Sequence, residues 1–193
     1  MTRLVSVGLG MGLLASVGAA SFVALPYQAG TRSAELENFH LAGPTGRSYS
    51  IESFPSRSVL VIYFGYTTCL RFCPTALNNI AEAIDHLGAA GASVRVVFID
   101  MDPAEAALVS IPAYIESFGP RFLGLTGSSD DIARAAQSFN VKVERVQFSA
   151  DPTDYSMKHS SPIFVMRPED RHPTQLSATS SPTAIEAALR QAL

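Results

Sequence analysis

The sequence has no run of Lys or Arg and little charge of either sign. Charged residues make up 16% of its 193 residues, and the formal net charge is −3. Binding to a phosphate backbone depends on clustered cations, so we expect no nucleic acid partner. Internal repeats and low-complexity segments are absent as well. The length and a hydrophobic content of 47% therefore suit one folded domain with an ample core.

Charge is missing altogether from one N-terminal stretch, between Arg3 and Arg32. Within it, Leu4–Leu25 consists of Leu, Val, Ala, Gly, Phe, Met and Ser. A stretch of this length can cross a bilayer as a helix. The small residues Gly18 to Ala20 also suit a signal peptidase, so a cleaved signal peptide is the alternative. No Cys lies near this stretch, which excludes a lipoprotein anchor.

These features divide the chain into three parts. We predict that residues 1–28 are a membrane anchor or signal segment, that 29–34 are a linker, and that 35–193 are the folded domain. Both interpretations of the first part export the domain, and Arg3 on the cytoplasmic side agrees with the positive-inside tendency. We therefore expect a single-pass protein of the cell inner membrane, with its C-terminal domain in the periplasm or extracytoplasmic space.

The predicted domain alternates between strand and helix patterns. Continuous β-branched and aromatic runs predict buried strands, and apolar residues at helical spacing predict helices. Alternation of this kind predicts an α/β fold whose sheet contains at least one parallel pair. The predicted elements are a hairpin within 39–54, strands at Val59–Phe64, Val94–Ile99, Phe122–Leu125, Val141–Phe148 and Ile163–Met166, and helices from Pro74 to Leu87, Ala104 to Phe118, Ser128 or Ser129 to Phe139, and Pro182 to Leu193.

Cysteine is scarce: the chain has two, Cys69 and Cys73, and both fall between a predicted buried strand and the helix that Pro74 opens. A helix N-terminus favours thiolate, because its free N–H groups and its dipole stabilise negative charge. Thiolate is the form that binds soft metals and attacks disulfides. A structural disulfide is a weak explanation, since so small a loop yields little stabilisation. Two cysteines cannot form a four-thiolate cluster, so a metal held here needs another kind of ligand.

Four histidines could supply that ligand. His86 is predicted at the far end of the helix, about 20 Å from the cysteines at the helical rise. His40 falls in the N-terminal hairpin and His172 in a polar loop, where solvated histidines are usual. His159 lies just before the last predicted strand. The loop that flanks this strand can meet the cysteine loop at one end of the sheet.

Three blocks of the sequence resemble the Sco/SenC family in order and spacing. They are Phe64-Gly65-Tyr66-Thr67-x-Cys69-x-x-x-Cys73-Pro74, then Ile99-Asp100-x-Asp102-Pro103, then Tyr155-x-x-x-His159-Ser160-Ser161. The first block is the specific one. The resemblance runs from about Glu37 to the C-terminus, and it departs from the family between the cysteines, where Leu70 and Arg71 replace the usual Pro and Asp.

The resemblance implies a thioredoxin-like fold with a central mixed β-sheet flanked by helices. It also implies one copper ion bound by Cys69, Cys73 and His159, in a metallochaperone that assists metallation of the binuclear copper A centre of cytochrome c oxidase. The partner would be the copper-site subunit of that oxidase or another copper acceptor. The alternative is a membrane-tethered thiol-disulfide oxidoreductase that uses the Cys69/Cys73 pair. Three residues between the cysteines, rather than the two of thioredoxin-type motifs, favour metal.

Residues near these positions have simpler expected roles. We predict that Asp100 and Asp102 are a strand end and a helix cap, and that Tyr63 and Tyr66 pack near the site. Thioredoxin-like folds often carry a cis-proline that faces the cysteines, just before a strand. Since Pro162 precedes a predicted strand, we expect a cis Ser161–Pro162 bond.

Overall fold

In a computed structural model, residues 39–102, 110–151, 154–170 and 172–193 are described. The predicted membrane or signal segment and the linker lie outside these ranges. None of the helices within them is long and apolar enough to cross a membrane. The helices and strands are β1 (Leu41–Ala42), β2 (Ser48–Tyr49), β3 (Val59–Gly65), α1 (Phe72–His86), β4 (Val94–Asp100), α2 (Ser110–Glu116), β5 (Phe122–Leu125), α3 (Ser129–Ser138), β6 (Val143–Gln147), β7 (Tyr155–His159), β8 (Ile163–Met166), β9 (Thr174–Leu176) and α4 (Pro182–Ala192).

The central sheet has five strands in the order β5-β4-β3-β8-β9. β3 runs parallel to β4, and β4 runs parallel to β5, whereas β8 is antiparallel to both β3 and β9. Parallel neighbours need a crossover connection, and α1 and α2 lie in the two crossovers. This mixed sheet flanked by helices confirms the predicted α/β architecture.

The side chains of β3 alternate between two buried layers. Val59, Val61 and Tyr63 belong to a core with residues of α1, α2 and α4. Leu60, Ile62 and Phe64 belong to a second core with residues of α3 and the N-terminal hairpin. Every residue of β3 is buried, as its continuous apolar run predicts for a strand covered on both faces. The strand that leads to the cysteines is therefore held rigidly at the centre of the domain.

Most predicted elements agree with the structure within a few residues. The β1–β2 hairpin, β5 and β8 are found where the sequence places them, and α3 is capped by the side chain of Ser128. The helix expected from Pro74 begins two residues earlier, at Phe72. Of the helix expected from Ala104, only Ser110–Glu116 falls within the described residues.

Two strands are absent from the prediction. β7 pairs antiparallel with β6 in a two-stranded sheet of its own, and β9 pairs with β8 at the edge of the central sheet. Both are polar segments, and pairing with a neighbour rather than intrinsic propensity makes them strands. His159 consequently ends a strand, whereas the sequence suggested that it lies in a loop.

The expected cis peptide before Pro162 is wrong. None of the described residues takes part in a cis peptide bond. Pro162 joins the end of β7 to the start of β8 through an ordinary trans bond, which is the intrinsically favoured form. The expectation came from thioredoxin-like folds in general, and no local feature of this sequence requires it.

Candidate functional site

Cys69 lies immediately before α1, and its sulfur caps the start of that helix. The Sγ atom accepts a hydrogen bond from the backbone N–H of Cys73 at 3.3 Å. The N–H groups of Arg71 and Phe72 are directed at the same sulfur. Burial alone would raise the pKa of the Cys69 thiol, but these donors together with the Cys73 thiol lower the pKa below its usual value. The helix N-terminus thus stabilises a thiolate at Cys69, as the sequence predicts.

Cys73 occupies the first turn of α1 and is completely buried. Burial raises the pKa of its thiol to about 12, and the adjacent Cys69 sulfur contributes to the shift. Both cysteines are free thiols. Their surroundings therefore give the two sulfurs different properties: the thiol of Cys69 loses its proton more readily than an ordinary cysteine, and the thiol of Cys73 stays protonated.

Gly65, the last residue of β3, leaves the space that the Cys73 sulfur occupies. A Cβ atom at this position would lie 3.0 Å from Cys73 Sγ and 2.6 Å from Cε2 of Phe98. The Phe98 ring is part of the buried core and cannot move aside freely. The glycine in the Gly-Tyr-Thr block thus has a steric role at the site.

We expect Gly65→Ala to destabilise the protein by about 1–3 kcal/mol, because the added methyl overfills this contact. Urea unfolding of the reduced protein measures the loss. Phe98→Leu removes the nearest ring atoms, so the double variant should lose less stability than the sum of the two single variants. Simple additivity of the two losses would show that the methyl and the ring do not clash.

His159, at the end of β7, packs its imidazole against the ring of Tyr66. The two ring centroids are 5.7 Å apart in an edge-to-face arrangement. The Nδ1 atom lies 2.7 Å from Ser161 Oγ and 3.2 Å from the Ser160 carbonyl oxygen. Burial lowers the pKa of His159, so the ring is neutral at pH 7. Neutral imidazole is the form that binds metal ions.

Tyr66 stands between the cysteines and the histidine. Its ring touches His159, and its hydroxyl is within hydrogen-bonding reach of Cys69 and Ser156. Among the described residues, no three His, Cys, Asp or Glu side chains are close enough together to hold a metal ion. The structure therefore brings Cys69 and Cys73 together and places His159 across Tyr66 from them, without closing a three-ligand site.

The other three histidines have surroundings of a different kind. His86, at the far end of α1, has Nδ1 3.3 Å from a carboxylate oxygen of Glu186. His40 and His172 are exposed. The sequence predicts that none of these three is a copper ligand, and that stays a prediction.

A contact that the sequence analysis missed ties the β6–β7 hairpin to the end of β4. The Tyr155 hydroxyl donates a hydrogen bond of 2.5 Å to Oδ2 of Asp102. The guanidinium of Arg145 lies over the Tyr155 ring, 3.6 Å from its centroid. Oδ1 of Asp100 accepts the N–H of Asp102 at 2.9 Å. Tyr155 begins the third sequence block and Asp102 lies within the second, so membership in these blocks was the signal that could have pointed to this contact.

The sequence matches a protein-family model and several known proteins. The family model described as SCO1/SenC matches residues 28–193. An SCO2-like protein of Rickettsia conorii is 29% identical over 153 residues, which are 79% of this chain and 74% of that protein. The human protein SCO2 homolog, mitochondrial, is 34% identical over 138 residues, 68% of this chain and 50% of that protein. This chain thus spans half the length of the human relative.

A solved structure shows the same fold. The structure of Bradyrhizobium japonicum ScoI with copper bound has a TM-score of 0.70 and 29% sequence identity, and the match covers 81% of this chain and 98% of that one. This likeness confirms the thioredoxin-like fold that the sequence blocks imply. Since the family model covers most of the chain and the fold agrees with it, the chain belongs to the SCO1/SenC family.

Proposed function

We propose that this protein binds one copper ion through the thiolates of Cys69 and Cys73 and the imidazole of His159. We further propose that it is a metallochaperone that assists metallation of the binuclear copper A centre of cytochrome c oxidase. The observation that carries the proposal is the pair of free thiols at the start of α1, where backbone N–H groups stabilise thiolate at Cys69. Family membership and the copper held by the Bradyrhizobium japonicum protein support it.

The donor set suits copper as cargo. Two thiolates and a neutral imidazole are soft to intermediate ligands, which favour Cu(I) over the hard cations. Three protein ligands leave room for a ligand of the acceptor to join during transfer. Leu70, beside Cys69, is 94% exposed and offers an acceptor an apolar contact next to the site. The proposed acceptor is the copper-site subunit of the oxidase or another copper-binding protein, and the proposed anchor is the N-terminal segment in the cell inner membrane.

Binding requires that His159 reach the sulfurs past Tyr66. The imidazole already lies against the Tyr66 ring, whose hydroxyl is within reach of Cys69. A rotation of the Tyr66 side chain or a shift of the β6–β7 hairpin would bring the third ligand to the metal. The β6–β7 hairpin is not part of the five-stranded sheet, so such a shift leaves the core intact.

The metal content and visible spectrum of the purified protein, with and without added copper, test this proposal. We expect one copper per chain after removal of excess metal, and a sulfur-to-copper charge-transfer band when Cu(II) is added. A protein that retains no copper, or whose copper shows no thiolate band, would contradict the proposal.

Copper affinity is expected to rise steeply with pH. Copper replaces the thiol protons, so any thiol still protonated in the free protein must release its proton on binding. The pKa of Cys73 is about 12, so this thiol is protonated throughout the neutral range and releases one proton per copper bound. Burial lowers the pKa of His159, so its ring is mainly neutral at pH 7 and above and adds little to the proton release there.

The dissociation constant should therefore fall at least tenfold for each unit of pH from about 6 to about 8. Competition with a chelator of known pH dependence measures the slope. An affinity that stays constant over this range would mean that the buried Cys73 thiol is not a ligand.

A thiol-disulfide oxidoreductase is the second candidate, and one observation favours it. Cys69 has a lowered pKa and lies next to Cys73, whose thiol stays protonated. An attacking thiolate beside a protonated second thiol is suited to disulfide exchange. Both functions need both sulfurs, so His159 is the residue that separates them.

A further inference from the structure

The hydroxyl of Tyr63 is a buried polar group without a hydrogen bond in the described part of the chain. Its side chain is fully buried in the middle of β3. A buried hydroxyl that gives up its bonds to water and gains none in return costs stability, so such groups are rare and call for an explanation. The explanation lies in what surrounds this hydroxyl.

Tyr63 is flanked by Cys73 on one side and by Ser161 on the other. The register of the sheet produces this arrangement, because Tyr63 on β3 pairs with Ile163 on β8, two residues beyond Ser161. Ser161 Oγ in turn lies 2.7 Å from Nδ1 of His159. Two hydroxyls, of Tyr63 and Ser161, therefore connect the buried thiol of Cys73 to the imidazole of His159.

The hydrogen-bond partners of His159 indicate which of these groups donate and which accept. The Ser160 carbonyl oxygen, 3.2 Å from Nδ1, can only accept, which favours the tautomer of the neutral ring with its proton on Nδ1. The single Nδ1–H is then shared between this carbonyl and Ser161 Oγ, and the Ser161 hydroxyl can donate onward to the oxygen of Tyr63. The Tyr63 hydroxyl proton is left to point at the Cys73 sulfur. With the proton on Nδ1, Nε2 keeps the lone pair that a metal ligand needs.

We propose that Tyr63 and Ser161 form a hydrogen-bond relay that positions two copper ligands, His159 and Cys73, relative to each other. The proposal rests on the copper-binding function proposed above. When copper binds, each ligand sulfur that still carries a proton loses it to solvent, both sulfurs bind the copper, and no proton of the relay is transferred. The Cys73 thiolate is then a strong acceptor for the Tyr63 hydroxyl. The hydroxyl that lacks a bond in the dithiol protein gains one in the copper-bound protein.

Removal of either relay hydroxyl tests the proposal. We expect Tyr63→Phe and Ser161→Ala each to weaken copper binding about tenfold, as is typical for groups that orient metal ligands. Ser161→Thr keeps a hydroxyl and should retain nearly full affinity. Each single substitution already breaks the relay. The double variant should therefore lose no more copper affinity than the single variant that binds copper more weakly. Tyr63→Phe should also shift the sulfur-to-copper(II) band.

Tyr114→Phe is the matched control. The Tyr114 hydroxyl is also buried without a hydrogen bond among the described residues. Tyr114 packs against Phe98, with ring centroids 5.6 Å apart, and the nearby thiols act on its pKa through their charges, not through a hydrogen bond. We expect this variant to retain wild-type copper affinity and an unshifted band. In the reduced, metal-free state, both tyrosine variants should unfold at a urea concentration no lower than that of the wild type. This result excludes misfolding as the cause of any loss of copper affinity. Equal copper losses in the two tyrosine variants, or additive losses in the double variant, would overturn the relay.

The metal-free protein gives a readout that does not depend on copper. Nitrogen-15 NMR of His159 should show the proton on Nδ1 in the wild type and in Ser161→Thr, with a smaller population of this tautomer in Ser161→Ala. A wild-type ring protonated on Nε2 would overturn the relay. If the wild type shows the Nδ1–H tautomer but binds no copper, the copper function fails while the hydrogen-bond geometry stands.

Discussion

Replacing His159 by alanine is expected to weaken copper binding by orders of magnitude and to leave the Cys69/Cys73 pair able to oxidise and be reduced. The imidazole supplies the third coordination position, which two thiolates cannot replace. Exchange between dithiol and disulfide needs only the two sulfurs and access to them. Competition with a Cu(I) chelator measures the first effect, and equilibration with oxidised and reduced glutathione measures the second.

His86→Ala is the matched control, because His86 is paired with Glu186 at the far end of α1 and should not affect copper. In cells, His159→Ala should lower assembly of a copper oxidase unless copper is raised. The decisive contrary result has two parts: His159→Ala keeps full copper affinity and normal oxidase assembly, while a cysteine substitution destroys that assembly. Such a result would replace the metallochaperone with a thiol reductase.

Cys73→Ala is expected to abolish both tight copper binding and any disulfide exchange. Alanine removes the buried sulfur without adding a polar atom to the core around Gly65 and Phe98. The remaining thiolate and imidazole give a two-ligand site that cannot compete for copper with a chelator. Copper per chain after dialysis against that chelator measures the binding, and far-ultraviolet circular dichroism checks the fold.

Ala76→Ser is a control for changes to the same core. Ala76 is buried one turn further along α1, so the added hydroxyl tests the stability of this packing without touching either sulfur. We expect Ala76→Ser to lose stability, by about 1–3 kcal/mol, and to keep one copper per chain. If Cys73→Ala retained one copper per chain with an unchanged spectrum, the two-thiolate site would be refuted.

The strands of the core could be predicted because their residue types permit little else. The run from Val59 to Phe64 is β-branched and aromatic throughout, and a strand buried on both faces needs that composition. β7 and β9 were missed for the opposite reason: neither Tyr155–His159 nor Thr174–Leu176 has an apolar pattern, and cross-strand neighbours decide their structure.

The site was predictable to the extent that it is local in sequence. The position of Cys69 at a helix start follows from a strand, a short loop and Pro74, and the structure places its sulfur at that helix start. The distance from His159 to the sulfurs depends on how the β6–β7 hairpin packs, which no local pattern encodes. The same is true of the bond between Tyr155 and Asp102, since these residues are far apart in the chain.

The separation of the β6–β7 hairpin from the central sheet has a consequence for kinetics. Two-stranded sheets are marginal by themselves, and every residue of β6 except Val146 is exposed, so this element can open at a fraction of the free energy of global unfolding. Cargo held partly by His159 would then leave at a rate governed by the opening of the hairpin. Substitutions that loosen the hairpin would shorten the residence time of the cargo while leaving the melting temperature of the domain unchanged.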